Sequence, residues 1–439
     1  RREYLQRLFS WKEEKVIKVV TGIRRCGKST LLKQYQDELL KQGVSPEQLV
    51  SVNFEELEFE HLLDYRALYA YLKEHLCPGK MTYIFLDESQ KVKDFEKAVD
   101  SIYVKEQVDV YITGSNAYLL SGDLATLLTG RYVEIRMLPF SFREYCQASG
   151  WTGDFEAAFA EYLRYGGFPY LAAMEKTPEK AETYLEGIYH TVIVRDIEDR
   201  QCRKELDPNK RKITDVTLLK TIARYLASVV GSPVSVKKVT DYLTSNGRKI
   251  SASTVDNYME ALEEAFIFYK ADRFDLVGKQ LLKANAKWYM VDLGLRGYIL
   301  PRDRYDLGFS LENVVYFELL RRGYTVNIGK YGSSEVDFVA RRQEACYYFQ
   351  VTADMTAEQT FERELRPLQS IRHNYEKMVL TLARFSLGNY GGIQVVTTGD
   401  GKLEWECPHC GNRNQEHSTW QDVHAATLAL SFGVRGGRR

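Results

Sequence analysis

The chain has 439 residues, more than one hydrophobic core accommodates, so two to four domains are expected. Sixty basic residues balance sixty acidic ones, which excludes a global field drawing the chain to nucleic acid or membrane; any basic patch must be local. No run approaches the eighteen or more apolar residues of a membrane span. Seven scattered cysteines, of which only Cys407 and Cys410 lie close together, suit a reducing cytoplasm better than a disulfide framework.

In chain order, the first apolar run is Val16, Ile17, Val19 and Val20, β-branched and of the kind a buried parallel strand carries. Gly22-Ile23-Arg24-Arg25-Cys26-Gly27-Lys28-Ser29-Thr30 follows at once and satisfies G-x-x-x-x-G-K-[ST]. Leu31, Leu32, Tyr35 and Leu39 then fall at helical spacing. A glycine-rich turn between strand and helix lets backbone N–H groups wrap a polyphosphate at the positive end of the helix. Lys28 would reach the outer phosphates of ATP and Ser29 would ligate Mg²⁺.

Leu49–Phe54 reads as a second strand and Met81–Glu88 as a third, ending in Asp87 and Glu88. Such a run is the usual partner of a phosphate loop: Asp87 would hold the Mg²⁺ shell and Glu88 would polarise the attacking water. Gln90 is read either as a γ-phosphate neighbour or as a helix start. Val108–Asn116 is a fourth strand, whose tip places Ser115 or Asn116 as a γ-phosphate sensor or as a simple turn. A helix over Leu119–Leu128 leads to Arg131 and a fifth strand, Tyr132–Met137. Arg131 is read as a finger completing a neighbour's site or as a surface arginine.

The phosphate-loop run, Phe85-Leu-Asp-Glu-Ser-Gln90, Thr113-Gly-Ser-Asn116, Leu127-Leu-Thr-Gly-Arg-Tyr132 and Leu138-Pro-Phe-Ser-Phe-Arg-Glu-Tyr145 together resemble the prokaryotic AAA-type ATPases with a DUF4143 C-terminal region. The resemblance runs from about residue 1 to 396. It implies an AAA+-like parallel sheet with the phosphate-loop strand central.

Gly166-Gly-Phe-Pro169 interrupts a helical region that resumes over Glu182–Arg200; Arg195 and Asp196 are read as a lid with a second nucleotide sensor or as a salt-bridged helix pair. Residues 213–275 look like a winged helix, with helices at Leu218–Val230, Val236–Leu243 and Ser253–Phe266. Residues 203–250 carry eleven basic side chains against four acidic ones, so double-stranded DNA is an expected partner. The acidic Asp256, Glu260, Glu263 and Glu264 on the third helix speak instead for a protein-packing lid.

From 310 the order is helix (Leu311–Arg322), three strands (Thr325–Ile328, Glu335–Ala340, Cys346–Val351), helix (Thr360–Ile371) and strand (Met378–Leu382). With Glu312, Asp337 and Gln350-Val-Thr352 this resembles the PD-(D/E)XK nuclease core. That chemistry needs an acid and a lysine on the third strand, where Gln350 and Thr352 stand, so a nuclease-shaped, inactive module is expected. After residue 397 the chain departs from the family. Cys407-x-x-Cys410 resembles part of a zinc ribbon whose second cysteine pair is absent; His417 and His424 are read as completing the tetrahedron or as chance neighbours, and a disordered tail is expected.

The resulting expectation is a cytoplasmic α/β protein. It has a phosphate-loop ATPase core (1–150), a helical lid (151–205), a winged-helix-like part (206–280), a DUF4143-type nuclease-like domain (281–396) and the tail (397–439). It would use ATP and Mg²⁺ to switch the winged-helix and nuclease-like modules, with a homo-oligomer or another protein as partner and no membrane. An ATP-regulated DNA nuclease and a non-catalytic protein-interaction switch are the alternatives.

Overall fold

The computed structural model describes residues 1–105, 107–114, 130–152, 154–192, 215–300, 307–383 and 387–397. The expected helix at 119–128, the candidate residues Ser115, Asn116, Arg195 and Asp196, the basic residues 203–212 and the tail beyond Thr397 lie outside these. Among the described residues no helix is long and apolar enough to cross a membrane. The chain divides into two compact units, the first built mainly from Arg1–Pro139, the second from Phe140–Glu186, Thr214–Glu263 and Phe268 onward.

The first unit is a five-stranded parallel sheet, β1 (Ile17–Thr21), β2 (Leu49–Asn53), β3 (Thr82–Asp87), β4 (Val108–Gly114) and β5 (Tyr132–Arg136), in the order β2-β3-β4-β1-β5. Parallel strands need crossovers and cover on both faces, which explains their apolar continuity. On one face Ile17, Val19, Val52, Ile84, Leu86 and Ile112 pack against Leu68 and Leu72 of helix Tyr65–Glu74 and against Phe95, Val99 and Ile102 of helix Phe95–Lys105. On the other, Tyr35 of helix Lys28–Lys41 contacts Phe85 and Tyr111 edge-on or tilted. Beneath this aromatic layer Lys18 on β1 is fully buried, its Nζ 2.5 Å from Asp109 Oδ1 on β4. Asp109 Oδ2 also accepts from the Tyr111 hydroxyl at 2.8 Å and the Glu13 amide at 2.8 Å. A buried pair survives only when such extra hydrogen bonds satisfy the carboxylate.

The second unit carries helices Phe142–Ala148, Phe155–Tyr165, Pro169–Ala173 and most of Pro178–His190, then Val216–Ser228, Val236–Ser245 and nearly all of Ala252–Glu264. Asp215 and Ser235 cap the fifth and sixth of these by accepting from the Leu218 and Lys238 amides. Its sheet has nine strands in the order β13-β14-β12-β11-β10-β9-β7-β8-β6. These are β6 (Pro233–Val234), β7 (Phe268–Asp275), β8 (Gln280–Met290), β9 (Thr325–Tyr331), β10 (Ser334–Arg342), β11 (Ala345–Thr352), β12 (Glu376–Thr381), β13 (Gly388–Tyr390) and β14 (Ile393–Thr397). Helix Leu307–Arg321 is buried along most of its length; helix Glu358–Ser370 sets Leu365 and Leu368 on Val336, Val339, Tyr348 and Val379. The division expected at 280/281 falls at the start of β8, inside the β7–β8 hairpin. β7 also pairs in parallel with β9, so the two segments share one sheet.

Asp292 shows how closely this unit is fitted. One carboxylate oxygen accepts from the Leu295 amide at 2.9 Å, capping helix Leu293–Ile299, and the other accepts from the Gly167 amide at 2.6 Å. A Cβ on Gly166 would come within 2.1 Å of this carboxylate, and one on Gly294 within 2.1 Å of the Tyr165 carbonyl, so both positions require glycine. Burial pushes the Asp292 carboxyl up to about 6, against the three backbone N–H donors that favour its charged form. The folded state therefore holds a proton that the unfolded chain, at 3.8, has lost. That stability is fully present below 3.8 and disappears as pH rises through 6, a difference of about 3 kcal/mol. Urea unfolding of wild type and Asp292→Asn between pH 7.5 and 4.5 should show wild type gaining on the variant as pH falls through 6; a constant gap would contradict this.

Candidate functional site: the phosphate loop and its acid pair

The residues of β1 are all buried, and the chain leaves it through Gly22 at φ 144°. A Cβ there would lie 2.1 Å from the Met137 carbonyl oxygen, so only glycine lets the turn pass the end of β5. Arg25 (φ 66°) and Gly27 (φ 100°) complete the turn in left-handed conformations, and helix Lys28–Lys41 begins directly after Gly27. A side chain other than glycine at positive φ stores backbone strain, which gathers at ligand-binding turns. Lys28 is buried and its ammonium folds back on the loop, donating to the Gly22 carbonyl at 3.0 Å and the Ile23 carbonyl at 3.4 Å. Arg24 reaches outward to Glu55 at 2.7 Å. Burial holds the Cys26 thiol above its usual range, although Lys28 and Arg1 pull it down.

Two strands away, β3 ends at Asp87, and Glu88 follows in a left-handed conformation (φ 54°). Burial raises the Asp87 carboxyl, opposed by hydrogen bonds from the Ser29 and Thr113 hydroxyls. The Thr113 hydroxyl donates to Asp87 Oδ1 while accepting from the Glu88 amide at 3.0 Å. Gln90 donates its side-chain amide to the Glu88 carboxylate, so it adjoins the acid pair within a short 3₁₀ turn at Ser89–Lys91. The structure thus brings Gly22–Thr30, Asp87, Glu88 and Gln90 to the carboxyl ends of β1 and β3, parallel strands separated by β4, where open α/β sheets bind ligands. Ser29, exposed and bonded to Asp87, fits an Mg²⁺ ligand; Lys28 and the loop amides fit a polyphosphate.

Arg131 is placed elsewhere. Its carbonyl accepts from the Ile17 amide at 2.8 Å, and Tyr132 pairs with Ile17 while Arg136 pairs with Thr21. It therefore stands at the start of β5, roughly 20 Å along the strand direction from Gly22 at about 3.3 Å per residue. There it is half-exposed and ion-paired with Asp100 at 3.1 Å.

The residues expected of a nuclease core form a second constellation. Glu312, Asp337 and Gln350 lie on helix Leu307–Arg321, β10 and β11. Gln350 accepts from the Asp337 amide at 3.4 Å and donates to Glu364 at 3.0 Å. Asp337 Oδ2 accepts from the Val351 amide at 2.9 Å, and the Thr352 hydroxyl donates to the Asp354 carbonyl. Lys287, absent from the sequence reading, points its ammonium at Glu312 (2.9 Å), Asp337 (3.3 Å) and Glu335 (3.3 Å) from β8. Tyr289 donates to Glu312 at 2.6 Å. Burial and the Asp337 charge raise the Glu312 carboxyl. For Lys287, burial alone would lower the ammonium, but the three carboxylates outweigh it and raise it. Among the described residues no group of three or more His, Cys, Asp and Glu is arranged to hold a metal ion.

The site and the sheet order define an AAA-type nucleotide-binding protein: residues 14–146 match the family model described as an AAA domain. Residues 156–306 match a domain of unknown function, DUF8612, across the stretch read as helical lid (151–205), winged-helix-like part (206–280) and the start of the DUF4143-type domain (281–396); the family matched there is DUF8612, not the expected DUF4143. The chain belongs to the family of an uncharacterized protein of Haemophilus influenzae, with which it is 38% identical over 408 residues, 92% of this chain and 98% of that protein. The uncharacterized protein MJ1544 of Methanocaldococcus jannaschii is 27% identical over 380 residues, covering 80% and 79% of the two chains. Among solved structures, the Walker-type ATPase PABY2304 of Pyrococcus abyssi aligns at a TM-score of 0.43 and 18% identity, covering 68% of this chain and 95% of its own. The Orc1 protein of Aeropyrum pernix, in complex with DNA, aligns at 0.30 and 14%, covering 68% and 91%.

Sequence reasoning missed Thr113, because a threonine closing a β-branched strand reads as ordinary strand composition. Its hydroxyl joins the Asp87 carboxylate to the Glu88 backbone amide. Thr113→Val keeps the shape and removes both hydrogen bonds. The expected result is about a tenfold fall in nucleotide turnover, equivalent to about 1.4 kcal/mol, with nucleotide affinity nearly unchanged. Steady-state kinetics with an independent nucleotide-binding titration would check it.

Proposed function

We propose that the chain is a Mg²⁺-dependent ATPase whose hydrolysis switches the arrangement of a winged-helix and a nuclease-like module, acting at DNA. The observation carrying this is the hydrogen-bond chain Ser29–Asp87–Thr113–Glu88, which holds the metal-ligating and water-polarising groups beside the phosphate loop. Bound Mg²⁺ would supply charge neutralisation at the outer phosphates. Lys28 would leave the Gly22 and Ile23 carbonyls for the β- and γ-phosphate oxygens, Ser29 and Asp87 would orient the metal shell, and Glu88 would accept a proton from the attacking water. Gln90 would fix the Glu88 rotamer.

The winged-helix reading is supported by three successive helices followed by the β7–β8 hairpin, with β6, between the first two helices, pairing with β8. Arg224, Lys237, Lys238 and Lys249 are exposed on this segment and suit phosphate contacts. The nuclease-like reading is supported by the helix–β9–β10–β11–helix–β12 order with Glu312, Asp337 and Gln350 at the expected positions. Gln350 is engaged by Asp337 and Glu364 and Thr352 by Asp354, which favours a module that does not cut.

ATPase rate with and without duplex DNA at moderate salt tests the reading. Stimulation by DNA is expected; none would leave a protein-interaction switch. Glu88→Gln should retain ATP and lose about 10²- to 10⁴-fold in turnover, and Lys28→Ala should lose nucleotide binding. Because Arg131 is remote from its own phosphate loop, a finger role requires a second copy. Mixing Arg131→Ala with Glu88→Gln protein should then restore activity that neither has alone. A wild-type rate independent of concentration, with no restoration, would confine Arg131 to its bond with Asp100.

A further inference from the structure

The ammonium of Lys287 on β8 is buried among three carboxylates. Its side chain is 5% exposed, and carboxylate oxygens of Glu312, Asp337 and Glu335, from a helix and from β10, surround the one nitrogen within 3.3 Å. An ammonium carries three N–H groups and no acceptor, so three carboxylates are what it can serve. Glu335 also faces Arg273 at 3.2 Å, and Glu312 also takes the Tyr289 hydroxyl, so cations and donors press on the cluster from β7 and β8. A divalent ion would need the same oxygens at about 2.0–2.6 Å, in the volume the nitrogen fills. Bringing one in beside the ammonium would set two cations in one buried site, where their repulsion is poorly screened.

The geometry points to Lys287 as a tethered cation standing in for a divalent metal in this module: with the ammonium present the carboxylates are not arranged to hold a metal ion, and removing it lets Glu312, Asp337 and Glu335 close on Mg²⁺ or Mn²⁺. The inference rests on reading the module as nuclease-like and non-cutting. It explains that loss by occupation of the metal site, beyond the absence of an acid at 350 and a lysine at 352. It also gives Gln350 a consistent part: with a charge already neutralised, a neutral amide bridging Asp337 and Glu364 adds no further repulsion.

The test uses the full chain without nucleotide and Mn²⁺ as probe, followed by calorimetric titration and by the electron paramagnetic resonance signal of free Mn²⁺. In wild type, Asp337→Asn should leave Mn²⁺ binding unchanged; a lost equivalent would overturn the inference, because the carboxylates would then hold metal beside the lysine. Lys287→Met should gain one equivalent, at least tenfold tighter than any wild-type binding, and Lys287→Met/Asp337→Asn should lose it. A folded Lys287→Met protein with no gained site would also overturn it. If that variant unfolds, circular dichroism melts with and without Mn²⁺ decide: recovery of the fold by Mn²⁺ supports the inference, and no recovery opposes it. A separate arm incubates wild type with Mn²⁺ and plasmid. Nicking there would sink the non-cutting reading itself, whatever the Mn²⁺ stoichiometry of the variants.

Discussion

Strand β4 is held at both ends, and the nucleotide-binding half of the chain depends on it. At its lower end Asp109 closes a buried ion pair with Lys18 of β1; at its upper end Thr113 joins the side chain of Asp87 to the backbone of Glu88. Because β4 lies between β1 and β3, the phosphate loop and the acid pair are two strand spacings apart, roughly 10 Å. Across that spacing the helix start carries the Ser29 hydroxyl over β4 to bond the Asp87 carboxylate directly.

The second unit solves a related problem with different means. Among its buried charges are Asp292, satisfied by backbone amides, and the Lys287 cluster, satisfied by carboxylates. In both, a charge that would be costly alone is surrounded by groups chosen for number and direction. The two glycines beside Asp292 are part of the same solution, since any Cβ would displace the donors.

Much of this was legible in the sequence, and the reasons for what was not are physical. The strands β1 to β5 and the three helices at 216–264 were visible because burial writes its period directly into apolar residues. The phosphate loop was visible because its glycines answer a backbone need that no other residue meets. Strand order leaves no such mark, so the placement of Arg131 at the far end of β5 appeared only with the register. Lys287 was hidden for a similar reason: it sits on β8, some fifty residues before Asp337, and sequence separation carries no information about which strands a sheet brings together. The boundary expected at 280/281 failed to anticipate the β7–β8 hairpin, because β8 mixes Lys and Asn with apolar residues and its strand period is blurred.

The close approach of Gly22 to Met137 has a mechanical consequence. β5 is a short rod with the Arg131–Asp100 pair at one end and, at the other, the Met137 carbonyl against which the phosphate loop turns, with the Met137 amide bonded to Thr21. Packed strands do not compress, so a displacement imposed on the outer end of that rod arrives at the loop with little loss. The curvature of the phosphate loop is thereby set by the edge strand as much as by the loop's own glycines, since the loop can turn no closer than the Met137 carbonyl allows.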